Sequence, residues 1–170
     1  MGRTIFILFF IWINSSVLAQ DIVKSFIDKH GKDDNLEIIT IGKKTIETMY
    51  PLISENPDLI EVIKNLESIR IISSKDMEIN KEYYDSARKL LSKSKRMKEL
   101  FSMSEDNKEL IITVRESKNS IKELILLSEQ DDGFNLISIS GAINLDVLLK
   151  YSDGFNIKEL EQLRSVKRNQ

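Results

Sequence analysis

Three apolar runs in succession, 109–115, 121–128 and 134–140, limit what this chain can fold into more than any other stretch. Each is rich in Ile, Leu, Val or Phe and is bounded by a short polar segment, the pattern of strands joined by tight turns. The second connection, Gln130-Asp131-Asp132-Gly133, closes on Asp-Gly, a pair that accepts the positive φ of a hairpin turn. The three runs therefore predict a meander. Its middle run is apolar on both sides, with Leu124 and Leu126 on one face and Ile121, Ile125 and Leu127 on the other. A strand of that kind is central and has cover above and below. Its neighbours alternate more clearly, through Leu110, Ile112 and Val114 and through Ile137 and Ile139.

The rest of the chain supplies the cover. Residues 21–30 predict a short helix with Asp21 as N-cap, with Val23, Phe26, Ile27 and His30 on one face and Gly31 at its end. A β-branched run at 36–41 is the first strand. Over 43–53, Ile46, Met49, Tyr50 and Ile53 fall at helical spacing, and Pro51 kinks or stops that helix. Asn56-Pro57-Asp58 is a helix start, with a cap, a proline at the first helical position and an acid in the first turn. Leu59, Ile60, Ile63 and Leu66 form the stripe of that helix, and 68–73 is the next strand. Asn80 is the expected cap of a longer helix that turns Tyr84, Ala87, Leu90 and Leu91 inward, and 100–103 is a short strand before the meander. Asn144 then caps a helix burying Leu145, Leu148 and Leu149, and a weak last helix at 157–163 precedes the polar tail 164–170. The predicted class is α+β, in the order β-α-α-β-α-β-β-β-β-α. A mixed, mostly antiparallel sheet of about five or six strands carries the helices. If the first two strands are parallel neighbours, their crossover is right-handed.

The N-terminus predicts export. Arg3 is the only charge in residues 1–19, residues 5–13 (IFILFFIWI) are an apolar core, and Asn14-Ser15-Ser16 breaks it before Val17-Leu18-Ala19. This reads as a secretory signal peptide cleaved after Ala19. The apolar run is far shorter than the roughly 20 residues of a spanning helix. Residues 20–163 then form one α+β domain. There is no cysteine, which removes disulfides, thiolate nucleophiles, Cys-type zinc sites and lipid attachment at an N-terminal cysteine. The expected product is soluble and periplasmic or extracellular. Beyond residue 19 the chain has 24 basic and 27 acidic side chains, a balance that argues against nucleic acid as partner.

Few residues offer chemistry. His30 is the only histidine, so a two-histidine metal site or a triad of histidines is excluded within one chain, and its place at a helix C-terminus suits packing better than ligation of a metal with Asp33 or Asp34. Ile41-Gly42-Lys43-Lys44-Thr45 sits where a phosphate loop would, but Glu37 stands where its first glycine belongs. Ser140 is preceded by Ile139 instead of the glycine of a nucleophile elbow, and strand serines on an outer face are the plainer reading. Asp131-Asp132-Gly133, near Glu129 and Asn135, lacks calcium-loop spacing. No catalytic set, cofactor site or metal site is predicted. What stands out is basic: Arg88, Lys89, Lys93, Lys95, Arg96 and Lys98 within eleven residues. They form either a solvated helix end or a patch for an anionic surface, a phosphate or an acidic envelope protein.

Ile63-Lys64-Asn65-Leu66-Glu67-Ser68-Ile69-Arg70, then Leu136-Ile137-Ser138-Ile139-Ser140-Gly141, Ile143-Asn144-Leu145 and Leu148-Leu149-Lys150, together resemble domain-of-unknown-function family 4252. That family comprises small exported bacterial proteins often described as lipoproteins. The resemblance spans nearly all of the chain beyond the leader and implies no activity. This chain departs from the lipoprotein members in lacking a cysteine to acylate. The expected function is a non-enzymatic binding or accessory module of the bacterial envelope. The alternatives are a carboxylate-dependent periplasmic hydrolase and a sensor module of envelope signalling.

Overall fold

The computed structural model describes residues 21–53, 57–105, 108–118, 120–130, 133–150 and 164. The expected leader, the cap Asn56, the turn residues Asp131 and Asp132 and the weak helix at 157–163 lie outside them. The strands are β1 (Glu37–Gly42), β2 (Leu66–Ser74), β3 (Met97–Glu105), β4 (Lys108–Ser117), β5 (Ser120–Gln130) and β6 (Gly133–Ile143). They make one sheet in the order β1-β2-β6-β5-β4-β3. The meander is β4-β5-β6, with Ile112 opposite Leu126 and Leu126 opposite Ile137.

The fold is α+β, but the sheet is antiparallel at every pairing rather than mixed. β1 and β2 are neighbours, with Glu37 opposite Ser73 and Gly42 opposite Ser68. No right-handed crossover joins them. Their connection holds α2 (Lys43–Thr48), a 3₁₀ turn (Tyr50–Ile53) and α3 (Pro57–Lys64). Pro51 lies in that 3₁₀ turn, past the end of α2 at Thr48.

Both faces of the sheet are covered. On one lie α1 (Ile22–His30) and α4 (Asn80–Lys93), which bury Phe26, Tyr83, Tyr84 and Ala87 against Ile72, Ile125, Leu127, Phe134 and Leu136. On the other, α2, α3 and α5 (Leu145–Lys150) bury Ile46, Ile63 and Leu149 against Ile112, Val114, Leu124, Leu126 and Ile139. Each large apolar side chain taken out of water this way contributes about 1.5–3 kcal/mol. β5 is buried on both sides, as its composition requires, with one reversal. Ile121 packs with Leu124 and Leu126 rather than with Ile125 and Leu127. A bulge explains it: Arg115 faces Glu123 and Glu116 faces Ile121, leaving Lys122 as the extra residue that flips the alternation.

Two glycines are required by geometry. Gly133, closing the β5–β6 turn, has φ +128°, and a Cβ there would meet the Ser74 carbonyl at 2.2 Å. Gly141 has φ +140°, and its Cβ would lie 2.2 Å from the Asn65 carbonyl oxygen, which accepts a 2.9 Å hydrogen bond from the Ala142 N–H. That contact fastens the start of β2 to the end of β6.

Three local expectations are corrected. Leu66 is buried but opens β2 instead of closing the stripe of α3, where Val62 is the buried residue alongside Ile63. Asn80 does not cap α4: the residue before it, Ile79, stands at that position without a side-chain bond. Asp76 does the work upstream, its Oδ1 accepting from the Glu78 N–H and its carbonyl from the Ile79 and Asn80 N–H groups. Asn80 turns inward and is 1% exposed. The strand expected at 100–103 extends over Met97–Glu105, with a register shift that leaves Leu100 exposed. Asp21 and Asn144 do cap their helices, accepting from the Lys24 and Val147 N–H groups at 2.9 and 3.3 Å.

Candidate functional site

The row of residues that crosses the α1/α4 face at one end of the sheet is polar as far as β4 and ends in a methionine on β3. Ser68, Ser140, Glu123, Arg115 and Met97 lie opposite one another in turn across β2, β6, β5, β4 and β3. In the next row, Arg70 faces Ser138. α1 begins above this end of the sheet and α4 finishes there. Between them is a cleft of about 650 Å³ lined by Asp21, Glu67, Arg70, Lys93, Lys95, Arg96, Arg115, Glu123 and Ser140, with Ile22, Leu90 and Met97 as apolar wall.

Its floor is internally neutralised. Arg70 Nη2 donates to Asp21 Oδ2 at 2.8 Å, with the two side chains 25% and 35% exposed. Arg115 Nε donates to Glu123 Oε2 at 3.1 Å, and the buried Ser138 hydroxyl donates to Glu123 Oε1 at 3.1 Å. The Ser140 and Ser68 hydroxyls share a 2.8 Å hydrogen bond. For Asp21, burial pushes the carboxyl up. The Arg70 hydrogen bond, the Lys24 N–H and the Arg70 charge together outweigh it, and the group titrates below the ordinary carboxylate value. The N-terminus of α1 thus already carries its anion.

The wall formed by the end of α4 and the turn into β3 is different. Lys93, Lys95 and Arg96 are exposed, and among the described residues none of them makes an ion pair. The six-residue basic segment is therefore divided by the fold. Lys93, Lys95 and Arg96 converge on the cleft. Lys98 is held by Glu116 at 2.6 Å. Arg88 lines a second cleft of about 450 Å³ on the far side of the last turns of α4, facing Glu99, Glu109 and the buried Thr113. Lys89 is exposed and lines neither.

Sequence reasoning missed Arg70, Arg115, Asp21, Glu67 and Glu123 as a group. One signal was present: Arg70 stands among isoleucines in Ser68-Ile69-Arg70-Ile71-Ile72, and a charge inside an apolar strand needs a partner. The others depend on sheet order, which sequence spacing does not carry.

The remaining candidates take structural roles. His30 is 9% exposed, accepts or donates a 2.9 Å bond with the Ser86 hydroxyl, and packs against Phe26 and Tyr83 at ring separations of 4.8 and 5.3 Å. Burial, helped by the Lys29 charge and opposed by Glu82 and Asp33, lowers its pKa, so the ring stays neutral near pH 7. Lys43 donates to the Lys64 and Leu66 carbonyls, fastening the β1–α2 turn rather than offering itself to phosphate. Ser138 and Ser140 are not on an outer face: β6 is an interior strand, and both hydroxyls are engaged by neighbours. Among the described residues no group of three or more acidic or histidine side chains is placed to hold a metal, and no helix is long and apolar enough to cross a membrane.

With this arrangement in hand, a family model decides the kinship: that of a domain of unknown function, DUF4252, matches residues 29–151. The chain belongs to the DUF4252 family. No curated protein matches it. The DUF4252 span takes in the whole sheet and every cleft residue except Asp21 and Ile22, which α1 supplies from outside it.

Proposed function

We propose that this DUF4252 protein is an exported, non-enzymatic binding or accessory module of the bacterial envelope, whose cleft between α1, α4 and the sheet holds an anionic group of its partner. One observation carries the reading. In a chain of net charge −2, Lys93, Lys95 and Arg96 sit together without ion-pair partners among the described residues on one wall of a concave site. Exposed lysines and arginines that lack internal partners keep their full attraction for an incoming anion, and a concave wall concentrates it. The apolar core at residues 5–13 and the small residues before position 20 support export. The absence of cysteine favours a form without an acyl anchor.

A carboxylate-dependent hydrolase is the weaker reading. Such chemistry needs an acid whose carboxyl is raised and which faces a cleft. Glu129 is raised, chiefly by burial, but it lines neither cleft, whereas Asp21 in the larger one is lowered. A sensor role in envelope signalling has no observation of its own.

The test is a pull-down from envelope extracts with the Lys93→Glu, Lys95→Glu, Arg96→Glu triple variant beside wild type. The expected result is loss of the partner together with a strong salt dependence of wild-type capture, since screening shortens from about 10 Å at 0.1 M to about 3 Å at 1 M salt. Retention of the same partners by the triple variant overturns the proposal.

A further inference from the structure

Resting on that reading of the cleft, we propose that the group it takes is a zwitterionic phosphoester: a phosphate joined by a short carbon link to a primary ammonium, as in phosphoethanolamine. The argument turns on which charges are already committed. Arg70 is held by Asp21 at 2.8 Å and Arg115 by Glu123 at 3.1 Å. Breaking either half-buried pair to free an arginine would strand its partner's charge. The ligand therefore meets what is left. On the α4 side these are Lys93, Lys95 and Arg96. On the β2 side it is Glu67, exposed at the register shift between Leu66 and Ser68, and it too makes no ion pair among the described residues.

A simple anion would use the three cations and leave the Glu67 carboxylate repelling it inside the same cleft. A ligand with an ammonium at the other end turns that repulsion into a charge-assisted hydrogen bond. Ile22, Leu90 and Met97 complete the lining and offer apolar surface to the carbon link. The volume of about 650 Å³ lies in the range of small-molecule sites. An extended acidic peptide would need a longer basic track, and the fold turns Arg88 into the other cleft and ties Lys98 to Glu116.

The experiment measures binding of inorganic phosphate and of phosphoethanolamine to the purified chain by calorimetry. Alongside it, the chain is co-sedimented with phosphatidylcholine vesicles, plain or containing phosphatidylethanolamine. Wild type is expected to prefer phosphoethanolamine over phosphate on the order of tenfold. Glu67→Gln, a change at an exposed side chain, should bring the two affinities together. The Lys93→Glu, Lys95→Glu, Arg96→Glu variant should lose both. Pelleting with the ethanolamine-bearing vesicles alone supports a lipid headgroup as the source, and binding of the free compound without pelleting supports a soluble phosphoester. Equal affinity for the two probes in wild type, or an unchanged preference in Glu67→Gln, overturns the zwitterion while leaving an anion site in place. Binding of neither probe overturns it as well.

Discussion

Replacing Asp21 by alanine removes two supports with one change. The side chain accepts from the Lys24 N–H at 2.9 Å, capping α1, and from Arg70 at 2.8 Å, tying α1 to β2. Loss of an N-cap costs about 1 kcal/mol. The ion pair is half-exposed, with side chains 25% and 35% accessible, so solvent screening limits it to about 1 kcal/mol. The variant should be about 2 kcal/mol less stable, a fall in Tm of about 4–8 °C for a chain of this size. Arg70→Met, which leaves the cap intact, should lose about half as much, and the double variant should show a coupling of about 1 kcal/mol. The pH dependence follows from the lowered Asp21 pKa. A depressed carboxylate stabilises the fold fully above its unfolded value, 3.8, and loses that contribution as pH falls through the lower folded value. The gap between wild type and Asp21→Ala should thus be full at neutral pH and should close in acid below 3.8. Urea unfolding followed by far-UV circular dichroism measures it, because the single tryptophan, Trp12, lies outside the described residues. A variant within about 0.5 kcal/mol of wild type, or a gap that does not close in acid, refutes the assignment of these two roles.

Gly141→Ala should cost about 3 kcal/mol or more, against less than about 1 kcal/mol for Gly42→Ala, where nothing lies within 4 Å of the added carbon; similar urea midpoints for the two would contradict the clash at the Asn65 carbonyl. Glu129→Gln should stabilise the protein at pH 7 by about 0.5 kcal/mol. Glu129 stands directly opposite Glu109, and burial first, then Asp85 and Glu109 against the opposing Lys81, raises its carboxyl, so its charged form works against the fold. The gain should vanish at pH values where the wild-type carboxyl is protonated, and a Tm loss at pH 7 would disprove it. Thr113→Val should be neutral or up to about 1 kcal/mol more stable, since the Thr113 hydroxyl is buried and has no hydrogen-bond partner among the described residues; a loss above about 1 kcal/mol by denaturant titration would mean that the hydroxyl is satisfied.

The meander was legible because its information is local. Alternation, apolar content and a bounding Gly133 sit within one window around β4, β5 and β6. Capping by Asp21 and Asn144 and the helix start at Pro57 were legible for the same reason. Failures came where a neighbour in space overrode the window. Lys122 bulges out and carries Ile121 to the other face, a displacement set by pairing with two strands at once. Asn80 has the chemistry of a cap, but Asp76 starts the turn earlier and leaves it nothing to do. The basic segment was visible as composition, yet only the fold distinguishes Lys93, Lys95 and Arg96, which share a cleft, from Lys98, which has a carboxylate of its own. Arg70 and Glu123 join that cleft through strands far apart in sequence.

The strand order has a consequence for how the molecule is made. β2 has β1 on one side, but its other neighbour is the last strand of the sheet, and the Ser68 and Ser140 hydroxyls that meet across that seam are 72 residues apart. A chain emerging from its amino end completes β1 and β2 long before β6 exists, so this pair waits with an unpaired flank while the meander is still being delivered. Closure of that flank is a high-separation step and should set the pace of folding, and until it happens the isoleucines of β2 are open to pairing with another chain. A holding factor that protects them would act in that interval.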